Sequence, residues 1–101
     1  MAIDGNWELT VDSLMGPQQM TLSVHTVDGA LAGTLTNNAE NVTTDVFDGK
    51  VNGNDLTWKV KLKKIKLTLT FTTSVDGDVM TGKAKAGMFG SFNVAGKRAS
   101  A

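Results

Sequence analysis

The sequence predicts an all-β protein, an eight-stranded antiparallel up-and-down (meander) β-barrel forming a single domain over residues 1–101. The prediction rests on three features. Apolar and polar residues alternate with a period of two along most of the chain, as in a strand with one buried and one wet face. Polar tripeptides ending in glycine, Val27-Asp28-Gly29, Val51-Asn52-Gly53 and Val75-Asp76-Gly77, recur every 24 residues and have the chemistry of hairpin turns. No window carries a helical period of any length. Eight strands in 101 residues leave little chain for crossovers, so a meander is the economical topology. Closure into a barrel removes both sheet edges and the exposed apolar face that an open sheet would keep.

The elements follow in order. Strand one runs from Gly5 to Val11, with Trp7, Leu9 and Val11 inward and Asn6, Glu8 and Thr10 outward. Ser13 to Gln18 reads as a loop around the only proline. Strand two continues to Thr26, with Met20, Leu22 and Val24 inward and Thr21, Ser23 and His25 outward. Asp28-Gly29 turns the chain into strand three, which carries Leu31, Gly33 and Leu35 on one face, and Asn37 to Glu40 is a polar loop. In strand four, Asn41 to Val51, two registers compete: Val42, Thr44 and Val46 inward, or Thr43, Asp45, Phe47 and Val51 inward. The second buries the larger side chain and is preferred, and Gly49 suits a bulge that lets the strand change face. Asn52-Gly53 leads to strand five, with Leu56, Trp58, Val60 and Leu62 inward and Thr57, Lys59 and Lys61 outward. Lys63-Lys64 then turns without a glycine. Strand six sets Ile65, Leu67, Leu69 and Phe71 against Lys66, Thr68, Thr70 and Thr72, and Asp76-Gly77 turns again. Strand seven places Met80, Gly82 and Ala84 inward and Thr81, Lys83 and Lys85 outward. After the loop Ala86 to Gly90, strand eight aligns Phe92, Val94, Gly96 and Arg98.

A meander brings the three glycine turns, both termini, Trp7 and Arg98 to one end, which should be closed. The longer loops, carrying Met15, Met88 and Phe89, should form the mouth.

Ten basic and ten acidic residues cancel, so bulk charge draws the chain to neither nucleic acid nor membrane. The absence of cysteine excludes disulfides, thiolate zinc sites and cysteine nucleophiles. The N-terminus turns acidic at Asp4 and lacks a signal-peptide apolar run, and no stretch approaches the roughly 20 apolar residues of a membrane helix. A cytoplasmic location is therefore expected. Asn41-Val42-Thr43 matches a glycosylation acceptor but has no secretion signal to go with it.

Gly5-Asn6-Trp7 on the first strand, together with Arg98 at the end of the last, resembles the calycin superfamily of lipocalins, fatty-acid-binding proteins and avidins. In that group a Gly-x-Trp tryptophan plugs the barrel and a basic residue from the last strand packs over it. The Met-Gly and Phe-Gly loops bring the chain closer to small, uncharacterised bacterial lipocalin-like proteins. The resemblance spans the whole chain on short motifs, and it implies a cation–π contact between Arg98 and Trp7. It carries over no ligand residues. The chain has neither the helical lid of fatty-acid-binding proteins nor the long helix that follows the last lipocalin strand, and avidin's biotin-site residues do not align.

Candidate functional residues cluster inside the barrel. Met20, Leu35, Trp58, Phe71, Met80 and Phe92 line the lumen. Small inward residues, Gly33, Gly82 and Ala84, either leave room for a ligand on one wall or fill the taper of a tight barrel. Met15, Met88 and Phe89 in glycine-flanked loops gate an apolar ligand, form an oligomer contact or cap the barrel's own core. Asp45, in the preferred register, points into apolar surroundings that would raise its pKa and equip it as a general acid or base. His25 faces outward, and one histidine without cysteine makes no transition-metal site. Lys59, Lys61, Lys63, Lys64 and Lys66, extended by Lys83 and Lys85, form an outer basic stripe. Without interleaved aromatics it reads as a solvated face rather than a nucleic-acid surface.

The leading functional expectation is a module that binds a small hydrophobic ligand in its lumen, without cofactor or metal. Two alternatives are a cofactor-free isomerase, lyase or cyclase using Asp45 on a hydrophobic substrate, and a self-associating structural module forming a homo-oligomer.

Overall fold

The structure is a computed structural model, and it describes residues 3–13, 16–38, 41–62, 66–87 and 90–99. Eight strands follow one another: β1 (Gly5–Ser13), β2 (Gly16–Val27), β3 (Ala30–Asn37), β4 (Val42–Asn52), β5 (Asp55–Leu62), β6 (Leu67–Asp76), β7 (Val79–Lys85) and β8 (Ser91–Arg98). Each pairs antiparallel with its sequence neighbours, and β8 returns to β1 from Trp7↔Arg98 to Val11↔Val94, closing the barrel. Among the described residues no helix is long and apolar enough to cross a membrane.

The three glycine turns use their shared tripeptide in two different ways. Asp28 (φ 50°) and Gly29 (φ 81°) are the two central residues of the first hairpin, both left-handed as a type I′ turn requires. In the second and third hairpins the central pairs are Gly53–Asn54 and Gly77–Asp78, with only the glycine left-handed, at φ 63° and 62°. That is the type II′ arrangement, with glycine at the first central position. In all three hairpins the pair flanking the turn is exposed: Val27↔Ala30, Asn52↔Asp55 and Asp76↔Val79. The one-residue shift therefore leaves Val27 54% exposed while Val75, at the same place in the tripeptide, is 5% exposed. The 24-residue recurrence is therefore structural between the second and third turns and one of composition alone at the first.

The first connection is shorter than the sequence suggests. β1 runs on to Ser13 and β2 starts at Gly16, with Asp12↔Pro17 and Ser13↔Gly16 paired, so Pro17 lies within the sheet. A proline is tolerated at the start of a strand, where its missing N–H forfeits at most a terminal ladder bond. Met15, Met88, Phe89 and the turn Lys63-Lys64 with Ile65 lie outside the described residues.

β4 corrects the preferred register. Val46 is buried, whereas Phe47 is 40% exposed and Asp45 is exposed. Inner and outer faces then exchange at a bulge, where Phe47↔Lys59 is followed by Lys50↔Thr57 and one extra residue sits on β4. Asp48 takes a left-handed φ of 51° there, a conformation that aspartate tolerates better than most residues. Val51, beyond the bulge, again packs against the core. Gly49 is required because a Cβ would stand 2.2 Å from the Leu31 carbonyl oxygen. Thus the bulge anticipated at Gly49 is present, and the core takes the smaller valine before it instead of the phenylalanine.

The interior is a single apolar cluster that draws on every strand. It also takes in Ile3, which precedes the first strand and is only 2% exposed. Thr73 is the sole buried polar residue among those described. Most outward positions carry hydroxyls and charges, with Val27, Val42, Phe47 and Val79 the exposed large apolar residues among those described.

Candidate functional site

One end of the barrel is stoppered. Alternation in β1 turns Trp7 inward, where it is fully buried, and its Nε1 donates to the carbonyl of Ile3 at 2.9 Å. The pairing Trp7↔Arg98 sets the guanidinium over the indole, 4.4 Å from the ring centroid. Arg98 Nη1 donates to the Asp4 carbonyl at 2.9 Å, and Nε donates to Asp78 Oδ1 at 3.1 Å. Asp4 Oδ1 in turn accepts from the backbone N–H and hydroxyl of Thr26, at 3.0 and 2.9 Å. The segment before β1 is thus strapped across the end by Arg98 on one side and β2 on the other. The Arg98–Asp78 pair itself adds little, because Asp78 is 81% exposed and an exposed ion pair is worth about 0–1 kcal/mol. The contact to the fully buried Trp7 ring is better shielded.

Above the plug, Trp58 and Phe71 face each other across the β5–β6 pair and stack with centroids 4.9 Å apart and planes 6° from parallel. Such pairs add about 0.5–1.5 kcal/mol beyond the area they bury. Both are fully buried, as is Met80, while Leu35 is 4% and Met20 8% exposed. Leu67 and Phe92 are half-buried on the same inner face near the far end of the barrel. The lumen residues named from the sequence are therefore brought together, apart from the three in the loops not described.

The small inward residues do not widen the lumen. A Cβ on Gly33 would lie 1.9 Å from the Ser23 carbonyl oxygen, and one on Gly82 would lie 2.1 Å from that of Thr72 and 2.6 Å from the Thr73 Cα. A Cβ on Gly96 would meet Leu9 Cδ2 at 2.3 Å. These glycines sit where the strongly coiled wall brings neighbouring strands into close approach. At Gly33 and Gly82 the neighbouring strand's backbone stands where a side chain would begin.

Asp45 does not enter the lumen. It is exposed on the outer face, paired with Thr34, and the acid–base role expected for it lapses with the register. His25 is likewise exposed, and no group of three or more His, Asp or Glu suited to a metal occurs among the described residues. On the outside, Lys59 meets Asp48 at 3.7 Å. A depression of about 430 Å³ lies there, lined by Asp48, Lys50, Thr57, Trp58, Lys59 and Thr70. A second, of about 500 Å³, adjoins it along Lys50 and Thr57. Lysines and hydroxyls of β4–β6 rim them, and the inward residues Trp58, in the first, and Thr73, in the second, form part of their floors.

Two functional features escaped the sequence reading. Ile3 serves as part of the plug, and only its being apolar ahead of an acidic, glycine-bearing turn hinted at this. Thr73 shares the parity of Phe71 and so points inward, a position the alternation would have flagged. Its Oγ1 and the Nε1 of Trp58 are buried side-chain atoms with no hydrogen-bond partner.

No protein-family model, curated protein or solved structure matches the chain. The barrel's closed, eight-stranded, nearest-neighbour topology is nonetheless consistent with a calycin-like architecture.

Proposed function

We propose that this lipocalin-like barrel binds one small, mostly apolar molecule, inserted from the end opposite Trp7. A single observation supports the reading: the interior is apolar and one-ended. At one end Ile3, Trp7 and Arg98 form a hydrogen-bonded stopper. Toward the other, Leu67 and Phe92 are half-buried on the inner face. Val51 is the one partly exposed core residue at the plugged end. A wall of this composition favours apolar bodies, and methionine adapts to their shape. The glycine close approaches narrow the barrel, so the ligand is small.

Purified protein titrated with fatty acids, terpenoids and small aromatics, followed by tryptophan fluorescence and native mass spectrometry, tests this. At least one class should quench or shift Trp58 emission and add a stoichiometric mass. No spectral change and no bound mass across the panel would overturn the proposal.

A further inference from the structure

The lumen contains an unanswered hydrogen-bonding pair. Trp58 Nε1 and Thr73 Oγ1 are both buried, in residues 0% and 2% exposed, and neither has a partner. The contrast within the same chain is direct. The other buried indole, that of Trp7, donates to a backbone carbonyl at 2.9 Å. The neighbouring hydroxyl of Ser74, on the outer face, donates to Asp55 Oδ1 at 2.7 Å. Leaving a buried donor unmet is costly, which is why nearly all such groups in folded proteins are paired.

The two residues are diagonal neighbours on one wall of the barrel. Trp58 is registered against Phe71, two residues from Thr73 on β6, and both side chains are on the inner face. Such diagonal neighbours have Cα atoms roughly 7–8 Å apart, within reach of large side chains. Every other buried residue described is apolar. A buried water ordinarily needs two to four polar partners, and this wall offers only the minimum. An oxygen attached to an apolar body satisfies the same two groups, and its body gains contact with the surrounding apolar wall.

Building on the lumen-binding proposal, we infer that Trp58 Nε1 and Thr73 Oγ1 anchor the bound molecule. That molecule therefore carries a carbonyl, ether or hydroxyl oxygen on an otherwise apolar frame and enters oxygen first. The indole N–H donates to that oxygen, and the threonine hydroxyl donates to it or accepts from it.

Acetophenone and α-methylstyrene have nearly the same shape and differ in presenting C=O or C=CH2, so they isolate the anchor. In ¹⁵N-labelled protein, acetophenone should shift the Trp58 indole N–H resonance downfield and leave that of Trp7 in place, while α-methylstyrene leaves both. Thr73→Val should reduce the affinity ratio of acetophenone to α-methylstyrene about fivefold, a typical hydrogen-bond contribution. The same substitution should leave the melting temperature of the free protein unchanged or raised. If the two probes bind equally with the Trp58 resonance unmoved, the anchor is wrong and the lumen reading survives. If neither binds, the anchor falls, and the lumen reading falls with it when the wider panel also fails to bind. A marked loss of stability in free Thr73→Val would show that the hydroxyl already has a partner, such as water, and would also overturn the anchor.

Discussion

Gly82→Ala tests whether the inner wall has room at its small residues. The φ of Gly82 lies outside the left-handed region, so a methyl group there introduces no torsional strain and acts through space alone. Its Cβ would fall 2.1 Å from the Thr72 carbonyl oxygen and 2.6 Å from the Thr73 Cα, where contacts of 3.4 Å are ordinary. Both obstacles are backbone of the paired strand, so β6 and β7 must separate by more than an ångström. Overpacking of this kind costs about 1–3 kcal/mol, and the upper part of that range applies because no side chain can swing away. Restricting the unfolded chain returns about 0.4–1 kcal/mol. The net loss is about 2 kcal/mol, which for a domain of this size lowers the melting temperature by about 10 °C. Thermal unfolding followed by circular dichroism reads this directly. Gly29→Ala is the control: its φ of 81°, in the type I′ turn, carries torsional strain, but nothing lies within 4 Å of the added methyl. It should lose only about 1 kcal/mol. A Gly82→Ala variant that melts with the parent protein would refute the close approach and restore a spacious wall.

The β4 register separates adjacent positions. Val46→Ala should cost about 2 kcal/mol by removing buried methyls, while Phe47→Ala should cost less than about 1 kcal/mol and Asp45→Asn less than about 0.5 kcal/mol. Chemical denaturation curves that rank Phe47→Ala above Val46→Ala would reinstate the opposite face. At the plug, Arg98→Met should lose about 2 kcal/mol, combining the cation–π contact with the hydrogen bond to the Asp4 carbonyl. Raising salt to 1 M should barely move the parent protein's melting point, because the stabilising contacts of Arg98 are not the exposed pair with Asp78. A strong salt dependence abolished by Arg98→Met would contradict that division.

The strands, their order and, where side chains are described, the inward set of seven of the eight were legible because alternation is a local signal, and three of the hairpins carry glycine turns. Strand four was not. Its residues offer apolar side chains on both parities, and preferring the larger one amounts to assuming a regular strand. The bulge makes each half of β4 bury a different parity, with Val46 before it and Val51 after it. Nor could the shared turn tripeptide reveal whether the central pair starts at Asp28 or, one residue later in the motif, at Gly53 and Gly77.

The sequence by itself determined the topology of this protein, since period-two patterning and short glycine turns leave a closed meander as the way to bury one face and leave no edge. Only the tertiary structure decided the interior. Whether a glycine is a void or a point of contact depends on how tightly the wall coils, and that is set by all eight strands at once. The same holds for Trp58 and Thr73: nothing in their immediate sequence shows whether an indole N–H or a hydroxyl finds a partner, and while Trp7 finds Ile3 four residues away, Trp58 finds none.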